Sequence, residues 1–319
     1  MVLIYTQNWE GKFKKLSYEL VSYGSALAKQ MNTDAVALSI GNVSDDELKT
    51  LGQYGASKVV SVSDSKLNVL DNKVFSKVIS QVAEKIGASV CIFAHNNEGK
   101  AIAPRIAAKF KAALVAGVAE LPKSVEPFVI SKKVFTGKAY ADVKVNSAAK
   151  VLTLFQNSFG VHENTVNTTI EQVSVDIPKP TVTVIDQNKV TGKVLLTDAE
   201  IVVSGGRGMK SGDNWACIEE LADVLGAGTA CSRPVSDEGW RPHGEHVGQT
   251  GKIIAPNLYF ALGISGAIQH LGGVSNSKCI VAINSDKEAP IFEAADYGII
   301  GDVHKILPEL IAEVKKLKG

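Results

Sequence analysis

The chain has 319 residues, 45% of them hydrophobic and 21% charged, with a formal net charge of +1. This is the composition of a soluble globular protein long enough for two domains with cores of their own. It gives no electrostatic reason to expect nucleic acid, and no apolar run approaches the roughly 18 residues a membrane helix requires. Cys91, Cys217, Cys231 and Cys279 lie far apart with no C-x-x-C pair, which fits a reduced cytoplasmic setting and not a zinc or iron–sulfur site. No basic segment precedes the apolar run Val2-Leu-Ile-Tyr5, so no targeting peptide is expected.

The first half alternates strand and helix. Strands are expected at Val2–Thr6, Asp34–Ile40, Lys58–Val62 and Ser89–Phe93, and helices at Lys15–Met31, Asp45–Leu51, Lys73–Ile86 and Lys100–Phe110. Such alternation predicts a mostly parallel sheet covered by helices on both faces. Val129–Phe135, Ala139–Val145 and Val151–Phe155 then alternate at period two and predict antiparallel strands. Asp176–Asn188, with Pro178 and Pro180, reads as an extended connection, and the domain boundary falls between about Asp176 and Asp198. Domains are therefore expected at 1–185 and 199–319.

The second half returns to α/β. Strands are expected at Ile201–Val203, Thr229-Ala230, Ile253-Ile254, Leu258–Ala261, Ile280–Ile283 and Gly298–Ile300, and helices at Asn214–Leu225, Gly266–Leu271 and Val303–Leu317. Polar or glycine residues follow four of these strands: Ser204 with Gly205-Gly206-Arg207-Gly208, Ser265-Gly266, Asn284, and Asp302. In a doubly wound sheet, ligands bind outside the carboxyl ends of the strands, so these ends predict a pocket.

Each motif also has a plainer reading. The Gly205–Gly212 turn lets a phosphate approach backbone amides, but its glycines fit neither the dinucleotide fingerprint nor a P-loop, and it reads equally as a strand–helix turn. Ser265 is a good N-cap, and the Gly266 and Ala267 amides behind it would suit a pyrophosphate. His270, five residues on, is either a cofactor contact or a core histidine with one hydrogen bond. Arg233, before Pro234, either turns its planar guanidinium toward a flat ring or phosphate or is a surface arginine. Thr250, in Val247-Gly-Gln-Thr-Gly-Lys252, is a donor for a ring nitrogen or part of a simple turn. His243-Gly-Glu-His246 invites a metal, but Pro242 and Gly244 preclude the helical H-E-x-x-H geometry and no third ligand is near.

Taken jointly, Ser204-Gly-Gly-Arg-Gly208, Cys231-Ser-Arg233, Val247 to Lys252, Leu258 to Asn284 and Ala289-Pro-Ile-Phe292 with Ala295-Asp-Tyr-Gly-Ile299 resemble the alpha subunits of electron transfer flavoproteins, over about Ile201 to Lys316. The first half resembles that family more loosely, through its α/β pattern and Pro104-Arg-Ile-Ala-Ala-Lys109. The resemblance implies a Rossmann-like FAD-binding domain behind an adenine-nucleotide-hydrolase-like domain that has lost its nucleotide. Carried over by position, Arg207, Ser232, Arg233, Val247, Gly248, Gln249, Thr250, Ser265, Gly266, Ala267, Ile268, Gln269, His270, Asn284, Asp302 and Val303 would be FAD contacts. Arg233 would lie against the isoalloxazine, Thr250 near its N5 and His270 near its O2. Ser265 and the helix start would serve the ribityl–pyrophosphate, and Asn284 and Asp302 the adenosine.

By the same resemblance the chain pairs with a beta subunit carrying AMP or a second FAD. It would accept electrons from acyl-CoA or other dehydrogenases and pass them to a membrane-linked quinone oxidoreductase or other acceptor, transforming no substrate itself. A bifurcating version oxidising NADH is the alternative. Two other classes compete. A nicotinamide-dependent oxidoreductase would need a proton-transfer or hydride-site residue beyond His270. An ATP-binding module would need a glycine-rich phosphate loop in the first half, where His95-Asn-Asn-Glu-Gly99 supplies a single glycine.

Overall fold

The computed structural model describes residues 1–135, 139–186 and 194–318; the last two residues of the expected extended connection, 187 and 188, lie outside them. The chain divides into two compact units, Met1–Gln187 and Asn188–Gly319, each α/β.

In the first unit, strands β1 (Val2–Thr6), β2 (Ala35–Ile40), β3 (Lys58–Val62), β4 (Val90–Ala94), β5 (Ala113–Val118), β6 (Phe128–Val134), β7 (Ala139–Val145), β8 (Lys150–Leu154) and β9 (Thr169–Gln172) join in the order β7-β6-β5-β8-β4-β1-β2-β3-β9. Helices α1 (Lys15–Gln30), α2 (Asp45–Thr50), α3 (Asn72–Ile86) and α4 (Asn97–Phe110) connect the early strands. Successive side chains of a strand point to opposite faces, so Ile4, Ala37 and Val59 enter one core while Leu3, Val36, Leu38 and Val60 enter the other. This explains the continuous apolar runs of β1 and β2: both faces are covered.

Only part of the expected antiparallel region is antiparallel. β6 and β7 pair that way, but β8 runs parallel to both β4 and β5. Its period-two pattern does not encode direction, which is set by how the chain returns to the sheet. β5 and β9 were not anticipated. β5 (Ala-Leu-Val-Ala-Gly-Val) spends half its positions on alanine and glycine, which are poor strand formers, and β9 (Thr-Ile-Glu-Gln) is a polar edge strand on β3.

The second unit has five parallel strands, β10 (Ile201–Gly205), β11 (Gly228–Cys231), β12 (Leu258–Leu262), β13 (Cys279–Asn284) and β14 (Tyr297–Ile300), in the order β11-β10-β12-β13-β14. Helices α5 (Ala216–Leu225), α6 (Arg233–Asp237), α7 (Ile268–Val274), α8 (Ile291–Ala294) and α9 (Val303–Lys318) complete it. One core holds Val202, Tyr259, Ala261, Ile280 and Ala282; the other holds Val203, Phe260, Leu262, Ile283 and Trp215. The chain leaves β10 toward β11, then returns past β10 to β12. That reversal opens a crevice at the carboxyl ends of β10 and β12, where doubly wound sheets bind ligands.

Three expectations differ in detail. Ile253-Ile254 is not a strand; Ile254 instead docks its N–H on the Gly273 carbonyl. α5 starts at Ala216 after a tight 3-10 turn, Gly212–Trp215. α7 starts at Ile268 behind Ala267, because Gly266 takes φ of +86° and keeps Ser265 outside the helix as a loop residue. Among the described residues no helix is long and apolar enough to cross a membrane, and no cluster of three metal-ligating side chains occurs.

Candidate cofactor site

A cavity of about 500 Å³ lies at the carboxyl ends of β10 to β13, within the range typical of small-molecule sites. Arg207 and Gly208 reach it from β10; Ser232, Arg233 and Pro234 from β11; Gly263 to Ala267, Gln269 and His270 from β12; Asn284, Asp286, Ala289 and Pro290 from β13. His246, Val247, Gly248 and Thr250 close it from a turn that continues the β11 edge through a bridge between Cys231 and His246.

Backbone proximity builds the floor. Gly206 N–H donates to the Leu262 carbonyl and Gly208 N–H to the Gly263 carbonyl, both near 3.0 Å (2.9 and 3.0 Å). A Cβ on Gly208 would lie 2.7 Å from the Gly263 Cα. Glycine there lets the two strand-end loops cross in contact. Gly266 similarly passes 2.3 Å (as a hypothetical Cβ) from the Ile291 amide nitrogen.

The wall holds unspent donors. The backbone N–H groups of Ser265, Gly266 and Ala267 donate to nothing among the described residues. Consecutive amides of this kind form a cradle for an anion. Arg207 is exposed. Arg233, 61% exposed at its side chain, pairs with Asp237 at 3.2 Å. Asn284 is fixed at both ends: its Nδ2 donates to the Ile264 carbonyl (2.9 Å) and its Oδ1 accepts from Asp286 N–H (3.0 Å).

His270 is buried beneath the cavity. Its Nε2 lies 2.8 Å from the Tyr259 hydroxyl. Its Nδ1 is buried with no hydrogen-bond partner among the described residues, and the Val247 backbone lies close enough to the ring to favour a proton weakly. Burial outweighs this and lowers its pKa to about 4, so the ring is neutral at pH 7. The positive charge at the mouth therefore comes from the two arginines and not from His270.

Of the sixteen residues expected to contact a cofactor, twelve converge here and four do not line the cavity. Gln249 lies over α7, its side chain against Gly272. Ile268 points outward, 65% exposed. Val303, the first residue of α9, is a core residue. Asp302 accepts from His304 N–H at 3.0 Å and faces Lys210 at 3.9 Å, which keep its carboxyl below the usual range. Cavity residues outside the expected set are Gly208, Pro234, His246, Gly263, Ile264, Asp286, Ala289 and Pro290. Asp286 had a local signal, two positions after Asn284, since Asx side chains bond backbone two residues on. Gly263 had none, because its role depends on a loop 55 residues away.

The crossing glycines, the unpaired amides and the guanidiniums together fit a long, flat, pyrophosphate-bearing cofactor. The fold and site thus define an α/β protein of the dinucleotide-cofactor-binding class. Comparison with known sequences carries this further. Residues 2–178 match the electron transfer flavoprotein domain, and residues 195–275 match the electron transfer flavoprotein FAD-binding domain. The chain is 33% identical to "Electron transfer flavoprotein subunit alpha" of Bacillus subtilis, over 99% of this chain and 98% of that one. It is 37% identical to the protein of the same name from Mycobacterium leprae, over 99% of each. It is 40% identical to that of Pseudomonas aeruginosa, over 89% of this chain and 94% of the other. The chain belongs to the electron transfer flavoprotein alpha-subunit family, and its cofactor is FAD.

Proposed function

We propose that this chain is the FAD-holding subunit of a two-chain electron carrier. It pairs with a beta subunit, takes electrons from acyl-CoA or other dehydrogenases, and delivers them to a quinone-linked oxidoreductase or other acceptor, in the cytoplasm. The observation that carries this reading is the make-up of the cavity. Its lining is a set of donors: Arg207, Arg233, Ser232, Thr250 and three unpaired amides. Such a set binds and tunes a flavin. The buried histidine, His270, is neutral at pH 7 and has one nitrogen against Tyr259, a poor arrangement for general acid–base work on a substrate.

When bound, FAD supplies the ring that accepts and releases electrons. The chain's own residues do the rest. The Ser265 to Ala267 amides hold the pyrophosphate. Asn284, locked by Ile264 and Asp286, holds the adenosine side. Arg233 presents its guanidinium toward the ring, and Thr250 and His270 border it. A guanidinium held beside the ring would stabilise negative charge on it. Each charged hydrogen bond is worth about 1.5–3 kcal/mol, and about 1.4 kcal/mol corresponds to roughly 59 mV in a one-electron couple. Arg233 would therefore raise the potential by roughly tens of millivolts.

The test is co-expression with the beta subunit. One FAD per pair, reduced by an acyl-CoA dehydrogenase with its substrate, agrees with the carrier. Two FADs per pair with reduction by NADH moves the assignment to the bifurcating form. Failure of the two chains to co-purify contradicts the two-chain carrier.

A further inference from the structure

The loop 240–246 ends at the cavity wall in His246, to which no role has yet been given, and it is built rigidly. Arg241 forms a two-pronged ion pair with Glu245, Nε to Oε2 at 2.7 Å and Nη2 to Oε1 at 2.8 Å. A third bond runs from its Nη1 to Glu219 Oε1 on α5 at 2.8 Å. The guanidinium also sits 5.6 Å above the Trp215 ring. The Arg241 and Glu245 side chains are 14% and 10% exposed, so this clamp is largely shielded from solvent, where such pairs hold geometry far better than surface pairs do.

The residue the clamp delivers is His246. Its backbone is pinned on both sides: its N–H donates to the His243 carbonyl, its carbonyl accepts from Lys252 N–H, and the next N–H, Val247, donates to Cys231. Room for the ring is made by Gly251 of the following turn, and Gly248 lies in ordinary contact with it. A Cβ on Gly251 would come 2.8 Å from the imidazole Cγ, and one on Gly248 would come 3.5 Å from Nε2. The residue is only 6% exposed, and it lines the cavity. Among the described residues nothing hydrogen-bonds its ring nitrogens. A polar ring that is nearly buried, fixed in place and without a protein partner is expected to meet its partner in a ligand.

We infer that His246 is a further contact residue for the FAD of this cavity, its imidazole presented to the cofactor from a loop held by the Arg241–Glu245 clamp. The inference rests on FAD occupying the cavity. His246 bridges to Cys231, two residues before Arg233, and both His246 and Arg233 line the cavity, so His246 stands on the Arg233 side. The neighbouring charges that act on it are Asp237, His243 and Arg233. The part of the cofactor it meets is therefore the part that meets Arg233.

The experiment uses the full chain with FAD removed and added back, wild type against His246→Ala, His246→Gln and Arg241→Met, with histidine labelled at the ring nitrogens. FAD itself is the probe. The expected result is at least a fivefold loss of FAD affinity in His246→Ala, partial recovery in His246→Gln, and a similar loss in Arg241→Met. The ring-nitrogen signal absent from the His246 variants should move when FAD binds to wild type. Thermal unfolding of the FAD-free His246→Gln chain should match wild type. Wild type that binds FAD, with unchanged affinity in both His246 variants and a His246 signal that stays still, overturns this inference alone. Wild type that fails to bind FAD overturns both this inference and the cofactor assignment on which it rests.

Discussion

Arg233 is free to turn: its side chain is mostly exposed, and its one ion pair, with Asp237, is a solvent-screened contact of i to i+4 type that holds it only weakly. Removing it leaves the fold intact and takes a charged hydrogen bond from the cofactor, so Arg233→Ala should lower FAD affinity by about tenfold, the equivalent of roughly 1.4 kcal/mol. Flavin fluorescence quenching on titration measures this; an unchanged affinity would place Arg233 outside the contact set. Two histidines make a separate prediction. His270 and His95 both have pKa values pushed down to about 4, His270 by burial and His95 by burial with help from Lys100 and Lys132. An unfolded histidine titrates near ~6.5. Between those values the unfolded chain binds more protons, so stability is full above pH 6.5 and is lost as pH falls toward 4. Denaturant midpoints at pH 7 and pH 5 should differ accordingly. His95→Asn, which keeps a polar atom for Thr153 (2.7 Å from His95 Nδ1), should shrink the difference. At this scale the sequence exposes which strand ends carry polar residues, but not which of several consecutive residues turn inward. Gln249 and Ile268 were expected in the pocket because they sit in the right span; one lies over Gly272 and the other faces solvent.

Elements place the site, and the crossing of two loops is its weakest point to substitution. A Cβ at Gly208 meets backbone, 2.7 Å from Gly263 Cα and 2.9 Å from its carbonyl oxygen, and backbone cannot rotate away. Gly208→Ala should cost about 1–3 kcal/mol from overpacking and reduce FAD binding with it, whereas Gly226→Ala, where nothing lies within 4 Å but φ is +66°, should cost only the ~1 kcal/mol of a strained cap. Thermal unfolding of the two variants, each with and without FAD, separates the effects; equal behaviour would mean the crossing does not shape the pocket. The strand–helix alternation of β1 to β4 was legible because apolar runs, caps and glycine stops agree there. Asp71, for example, accepts from Lys73 and Val74 N–H at the start of α3, and Gly87 ends it at φ +65°. The direction of β8 was not legible, since parallel or antiparallel pairing depends on neighbours far off in sequence. The apolar pair Ile253-Ile254 resembles a strand locally, but its N–H is claimed by Gly273 rather than by a sheet partner.

Across the molecule, the segment leaving the first sheet is staked down before the second unit begins. Asp71 accepts from both the Thr181 N–H and hydroxyl at 2.7 Å. Burial alone would raise its carboxyl pKa, but the four hydrogen bonds outweigh that and bring it to about 2. Asp71→Ala removes a helix cap and this stake, and should cost about 1–2 kcal/mol; urea unfolding at pH 7 measures it. A depressed carboxylate contributes above its unfolded pKa and loses that contribution as pH falls toward 2, so the variant and wild type should converge in strong acid. The whole-chain claim is that the cavity at the carboxyl ends of β10 to β13 holds one FAD. The measurement that tests it most directly is an equilibrium titration of the FAD-free chain with FAD, in wild type and Gly208→Val. Saturation at one FAD per chain, abolished or strongly weakened by the valine at the loop crossing, is the predicted result. No binding by a folded wild-type chain, or binding that Gly208→Val leaves untouched, would contradict it.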